Sequence, residues 1–167
     1  MVHSLREFLE HWEVESTFTR QLLEALTDSS LACSPGGPHR SVGRVAWHIT
    51  GSIGEMMGRT GLAVGGPSPE APVPARATEI ARTYAEASRS LAAELRRRWT
   101  DADLAVEDDM YGERWARGRT LLVLLLHEVH HRGQLTVLMR LAGLRVPQTY
   151  GPAYEDWSAF GQQPPAV

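Results

Sequence analysis

Apolar residues recur at three- and four-residue steps in four separate stretches of this 167-residue chain, with proline- and glycine-rich segments between them. That spacing marks one face of an α-helix and is out of step with a strand. In the first stretch, about His3 to Thr27, Leu5, Phe8, Leu9, Trp12, Leu22, Leu23 and Leu26 form the stripe, and Phe18 and Thr19 fill the turn between. Ser4 followed by Glu7 fits a capping box at its start. The second stretch opens at Ser41, a good N-cap, and carries Val42, Val45, Ala46, Ile49, Ile53 and Met56. Gly43, Gly51, Gly54 and Gly58 lie inside it. A glycine costs up to about 1 kcal/mol in an exposed helix, so their number predicts close approach of a neighbouring helix. The third stretch runs from near Ala77 to Arg98 or Trp99, on Ile80, Tyr84, Ala87, Leu91, Leu95 and Trp99. The fourth runs from Gly118 or Arg119 to Leu141. Its segment Leu121–Leu126 is apolar on every side, which predicts the most buried of the four helices.

The segments between are rich in helix breakers. Asp28–Arg40 contains Ser34-Pro35-Gly36-Gly37-Pro38 and reads as a connector. Leu62–Ala75 contains Gly65-Gly66-Pro67, Pro69, Pro72 and Pro74 and reads as a loop long enough to cover one end of a bundle. Asp101–Arg117 reads as loop with room for a two-strand ribbon turned at Tyr111-Gly112-Glu113, while Asp108-Asp109 argues against a buried strand. Gly143 is a C-terminal stop. Beyond it lies irregular chain, with Tyr150, Tyr154, Trp157 and Phe160 available to fold back. The expectation is an all-α fold, a four-helix bundle with irregular loops and a C-terminal tail, in one domain over residues 1–167. The pattern leaves the connectivity between helices open.

Charge and composition narrow the function. A net charge of −3 argues against a broad phosphate-binding surface, so no nucleic-acid partner is expected. The longest uninterrupted apolar run, Leu121–Leu126, is far short of a membrane span. Residues 1–15 carry four acidic side chains and no apolar run, unlike a signal peptide, so the expected location is the cytoplasm. The sole cysteine, Cys33, rules out an intramolecular disulfide and a cysteine-based zinc cluster. Arginine supplies all 17 basic residues, so no Schiff-base or P-loop lysine is present; codon bias accounts for this simply.

Three of the seven histidines fall in one short stretch, His127-Glu128-Val129-His130-His131-Arg132-Gly133-Gln134. His127 and His131 are one helical turn apart and share the face that carries Leu124, Leu135 and Leu138. Two imidazoles at that spacing can bind one divalent ion through neutral nitrogens. The stretch also satisfies H-E-x-x-H, in which Glu128 would be the base of a zinc protease. A protease is rejected: Gln134 and Val137 stand where the longer signature needs glycine and histidine, and no strand-rich region precedes the motif to align a peptide. A third ligand should come from another helix. His48 is the candidate, at the edge of the second stripe and roughly 110° from its mean direction, which suits a side chain reaching across to a neighbour. His3, His11 and His39 lie on polar segments and are expected in solvent; His130 lies off the ligand face. Trp47, Met56 and Met57 could line an apolar pocket or fill the core.

Val45-Ala46-Trp47-His48-Ile49 resembles the second-helix motif of the DinB family, the DinB/YfiT-like proteins, and Leu125–Leu135 resembles that family's fourth-helix motif, H-x-x-x-H-R-G-Q. Leu141-Ala142-Gly143, Pro147 and Tyr150-Gly151 are similar to the family's ending, so the resemblance covers nearly the whole chain. It implies a four-helix bundle with a divalent metal, zinc or nickel, held by His48, His127 and His131, and a homodimer. Some relatives resemble transferases or isomerases that use a low-molecular-weight thiol such as bacillithiol or mycothiol.

Neutral ligands would leave the ion its full charge, acidifying a water or a thiol at an open position. Three functions follow as expectations. The first is a metal-dependent, thiol-dependent S-transferase acting on a small-molecule substrate. The second is a metal-dependent hydrolase with Glu128 or Glu55 as base; Glu128 faces about 60° from the mean of the two ligand histidines. The third is a non-catalytic metal-binding protein linked to stress or DNA damage.

Overall fold

A computed structural model describes residues 2–68 and 70–166. Pro69, part of the expected loop, and the two ends of the expected 1–167 domain lie outside the described residues. Four long helices carry the fold: α1 Leu5–Glu24, α2 Val42–Gly58, α3 Ala77–Arg98 and α4 Arg117–Leu141. Between α3 and α4 lies an antiparallel ribbon of β1 Glu107–Met110 and β2 Glu113–Ala116, the ribbon for which the sequence left room. Asp109 is exposed, and Asp108, partly covered, is accommodated by an ion pair with Arg117 Nε at 2.9 Å.

Helices α1, α2 and α3 begin where a side chain can satisfy one of their first free N–H groups. Ser4 Oγ accepts from Glu7 N at 3.4 Å and Ser41 Oγ from Arg44 N at 3.2 Å. Distant aspartates add to this: Asp101 Oδ1 accepts from Leu5 N, a second cap on α1, and Asp28 Oδ1 accepts from Ala77 N at the start of α3, both at 2.8 Å. Helix α1 stops at Glu24, short of the expected Thr27, because Thr27 and Ser30 form a capping box for the short 3-10 turn Asp28–Ser30. Past α4, Gly143 takes φ +72°, the left-handed stop its position predicts.

The expected stripes meet in one core. Phe8, Trp12, Leu22, Ile49, Ile53, Ile80, Tyr84, Leu91, Leu121 and Leu135 are all buried there. Helix α1 packs on α3 and α4, and α2 packs on the same two. The loops joining α1 to α2 and α3 to α4 therefore each cross the bundle, settling the connectivity that the pattern left open. One consequence places the functional site: α2 and α4, far apart in sequence, lie side by side.

Three expectations need correction. Helix α4 is not buried all round: Leu126, Val137 and Leu141 are 55%, 60% and 59% exposed. The glycines of α2 admit loop rather than helix. A Cβ at Gly51 would stand 3.1 Å from the Pro67 carbonyl and one at Gly54 3.1 Å from that of Val64, so the 62–75 segment lies directly on α2. The aromatic tail folds back only in part: Tyr150 stands edge-on to Phe18 of α1 at 5.5 Å, while Tyr154 and Phe160 stay exposed. Polar contacts fasten it: Arg145 donates to Asp156, Arg140 to Glu155, and Arg132 to the Tyr150 hydroxyl.

Candidate metal centre

His48 on α2 reaches across to the pair on α4. Its Nε2 lies 3.1 Å from His131 Nε2, which lies 3.1 Å from His127 Nε2. The ligand-capable atoms of the three all fall within 4.8 Å of one another. Nitrogens bound at 2.0–2.1 Å around a tetrahedral zinc stand about 3.3 Å apart, close to these separations. Three ring nitrogens from two helices thus converge on one point.

The other ring nitrogen of His131 fixes its tautomer. Nδ1 is 2.8 Å from Gln134 Oε1, while Gln134 Nε2 is 3.1 Å from His130 Nε2. With the carboxamide oriented to donate to His130, its oxygen takes the proton of His131 Nδ1. His131 Nε2 then carries a bare lone pair toward His48 and His127. A partner on the remote nitrogen is how metal-binding imidazoles are held. His130, exposed, shares Gln134 with His131 and stands edge-on to the His131 ring at 4.9 Å.

Burial favours the neutral ring throughout. It lowers the His48 pKa to about 4, helped by the charge of Arg40. It lowers His127 to about 4, helped by His131. His131 is lowered too, burial again the main cause and the Gln134 bond opposing it. Near neutral pH the neutral imidazole is thus favoured at all three, the form that binds a metal. The donor set could therefore hold a divalent ion.

A cavity of about 390 Å³ opens on one side of the cluster, reached by His48 and His127 and walled by Arg44, Trp47, Glu55 and Tyr111. Met56 also lines it, whereas Met57 is core. On the other side, His131 and Gln134 face a second cavity with His39 and Arg40. The two candidate bases part company. Glu55 lies on the first cavity, where its carboxylate accepts from Arg59 Nε at 2.7 Å and from the Tyr111 hydroxyl at 2.6 Å. Glu128 is turned into the core: its Oε1 accepts from Thr19 at 2.7 Å and from Tyr84 at 2.5 Å. Burial pushes the Glu128 carboxyl upward against the pull of those donors. It joins α4 to α1 and α3 beside the buried Arg132–Glu15 ion pair. H-E-x-x-H here is thus two site histidines and a structural glutamate. His3 and His11 are exposed as expected.

Tyr111 escaped the sequence reading as a site residue. It sits at φ +61° and Gly112 at +86°, so the pair forms the tight turn of the ribbon with both residues left-handed. A bulky residue there is uncommon. Its phenol spans to Glu55 on α2, under the Arg59 guanidinium 4.2 Å from the ring centre, and burial with the Glu55 charge pushes it up to about 12. The signal available was the turn itself, since a tyrosine before glycine is unusual in that position.

Comparison with known proteins decides the family. The family model described as "DinB family" matches residues 1–165. The chain belongs to the DinB family. A DinB relative, described as "Uncharacterized protein YrdA" of Bacillus subtilis (strain 168), is 41% identical over 167 residues, all of both chains. The crystal structure of a DinB-like protein from Bacillus cereus ATCC 10987 superposes with TM-score 0.87 at 39% identity, covering 90% of this chain and 100% of that one. A DinB-like protein from Bacillus subtilis shares the fold at TM-score 0.67 and 22% identity, over 86% of this chain and 97% of that one. The all-α fold is the DinB fold, and among the described residues no helix is long and apolar enough to cross a membrane.

Proposed function

We propose that this DinB-family chain is a divalent-metal enzyme in which His48, His127 and His131 are the ligands and a thiol-dependent group transfer is the reaction. The carrying observation is the convergence of three imidazole nitrogens with the His131 tautomer held by Gln134. A divalent ion bound by neutral nitrogens supplies its full charge to lower the pKa of a thiol or a water beside it. Zinc and nickel both suit an all-imidazole donor set. The chain's own contribution is placement. His48 and His127 open onto a cavity large enough for a small molecule, and Trp47, Met56 and Val123 give it an apolar wall. Cys33, partly buried, is absent from both cavity walls, so the thiol is a separate small molecule such as bacillithiol or mycothiol.

A hydrolase is the second reading, favoured by the carboxylate of Glu55 on that cavity. Turnover of an electrophilic substrate with and without each low-molecular-weight thiol separates the two. The transferase reading expects a rate proportional to thiol at low concentration; a rate indifferent to thiol, with Glu55→Gln inactive, makes the protein a hydrolase. No turnover of either kind leaves a metal-binding protein that works through a partner in stress or DNA damage. The described residues share one core, which supports one domain over 1–167. The exposed apolar residues Leu126, Val137 and Leu141 repeat on one face of α4 and support a homodimer.

A further inference from the structure

The first cavity has more hydrogen-bond donors than acceptors. Arg44, one turn before His48 on α2, is half-buried in its wall. Both its terminal nitrogens reach a single carbonyl, that of Ala71, at 3.4 Å. Among the described residues no carboxylate pairs with Arg44, whereas Arg59 and Arg132 each have one. Trp47 lines the same cavity, is 8% exposed, and its indole N–H has no acceptor. The Glu55 carboxylate on that wall is engaged by Arg59 and Tyr111 and pairs with neither Arg44 nor Trp47. Buried donors of this kind are normally paired, and a partly buried guanidinium without a counter-charge is costly.

We infer that the cavity beside His48 and His127 binds a small organic anion, its carboxylate or phosphate accepting from Arg44 and the Trp47 indole and its apolar body lying on Met56 and Val123. Arginine presents a planar fork that fits either group. This deepens the reading of the site as a metal centre and rests on it for the chemistry, while the anion contacts themselves need only the chain.

Calorimetric titration of the full-length protein tests it, with phenylacetate and phenyl phosphate as the anionic probes and phenylacetamide as the neutral one. Metal-loaded and metal-free samples are run in parallel and metal content is measured in each. At least one anion is expected to bind tenfold or more tightly than the amide in both forms, and the tighter anion names the group. Arg44→Met should cut that preference about tenfold in both forms, Arg44→Lys should keep part of it, and metal content should stay at the parent level. An amide that binds as tightly as both anions overturns the inference, as does a preference that Arg44→Met leaves intact. A chain that takes up no metal but keeps the Arg44-dependent preference sinks the metal-centre reading and leaves the anion site standing.

Discussion

Replacing Gln134 by alanine isolates the tautomer lock from the ligands themselves. Gln134 touches the cluster only through His131 Nδ1, at 2.8 Å, and is exposed, so its loss leaves the core and the Nε2 atoms where they are. Without the carboxamide oxygen, the His131 proton is free to move to Nε2, the atom that faces His48 and His127. Binding an ion then requires shifting the proton back and ordering the ring unaided. A neutral hydrogen bond has a net worth of about 0.5–1.5 kcal/mol. Partners of ligating histidines commonly cost 10–100-fold in metal affinity when removed, or about 1.4–2.7 kcal/mol. The two ranges overlap near 1.4 kcal/mol, so a tenfold weaker dissociation constant is the central expectation. Competition against a chromophoric zinc chelator reads it directly. Gln134→Glu, which keeps an acceptor facing Nδ1, should bind at least as tightly as the parent. Thermal unfolding of the metal-free Ala variant should match the parent to within about 0.5 kcal/mol, since the residue is on the surface. An Ala variant that binds zinc within twofold of the parent refutes the argument.

Glu128→Ala removes the shared acceptor of Thr19 and Tyr84 and leaves a void among α1, α3 and α4, so it should cost about 3 kcal/mol or more in urea unfolding; a loss below about 1 kcal/mol contradicts its structural role. The folded pKa values of His48 and His127 lie near 4, below the ordinary 6.5, so the unfolded chain takes up protons first. The metal-free fold should therefore lose stability as pH falls from about 6.5 toward 4, and less steeply in His48→Gln; equal pH slopes in melting experiments would count against it. Light scattering should give twice the 18.5 kDa chain mass for the parent and the single-chain mass for Leu126→Glu/Leu141→Glu; a parent already at 18.5 kDa removes the homodimer.

The helices were legible because their periodicity is imposed by burial, and Ser4, Ser41 and Gly143 mark ends that local chemistry controls. The ligand candidates were legible for a related reason. His127 and His131 share a helix face by spacing alone, and His48 stands at the edge of its own stripe, a position that suits a side chain reaching across to a neighbouring helix. What the sequence hid depends on pairs distant in the chain. The loop contact at Gly51 and Gly54 and the diagonal connections arise only when the bundle assembles. Angle alone could not separate Glu128 from Glu55, because the difference lies in what surrounds each: Thr19 and Tyr84 from two other helices in one case, a cavity in the other. The full apolar circumference of Leu121–Leu126 misled for the same reason. A helix at the corner of a bundle has neighbours on two sides, and the pattern does not say which side is left uncovered.

The central claim is that His48, His127 and His131 together hold one divalent ion. Metal-to-protein stoichiometry, measured by elemental analysis on the parent and on His48→Ala, His127→Ala and His131→Ala after equal exposure to zinc and to nickel, tests it most directly. The account predicts one ion per chain for the parent and a large loss in each of the three variants, with the helical circular-dichroism signal retained. Undiminished metal in all three variants, or a parent that retains neither ion, contradicts it.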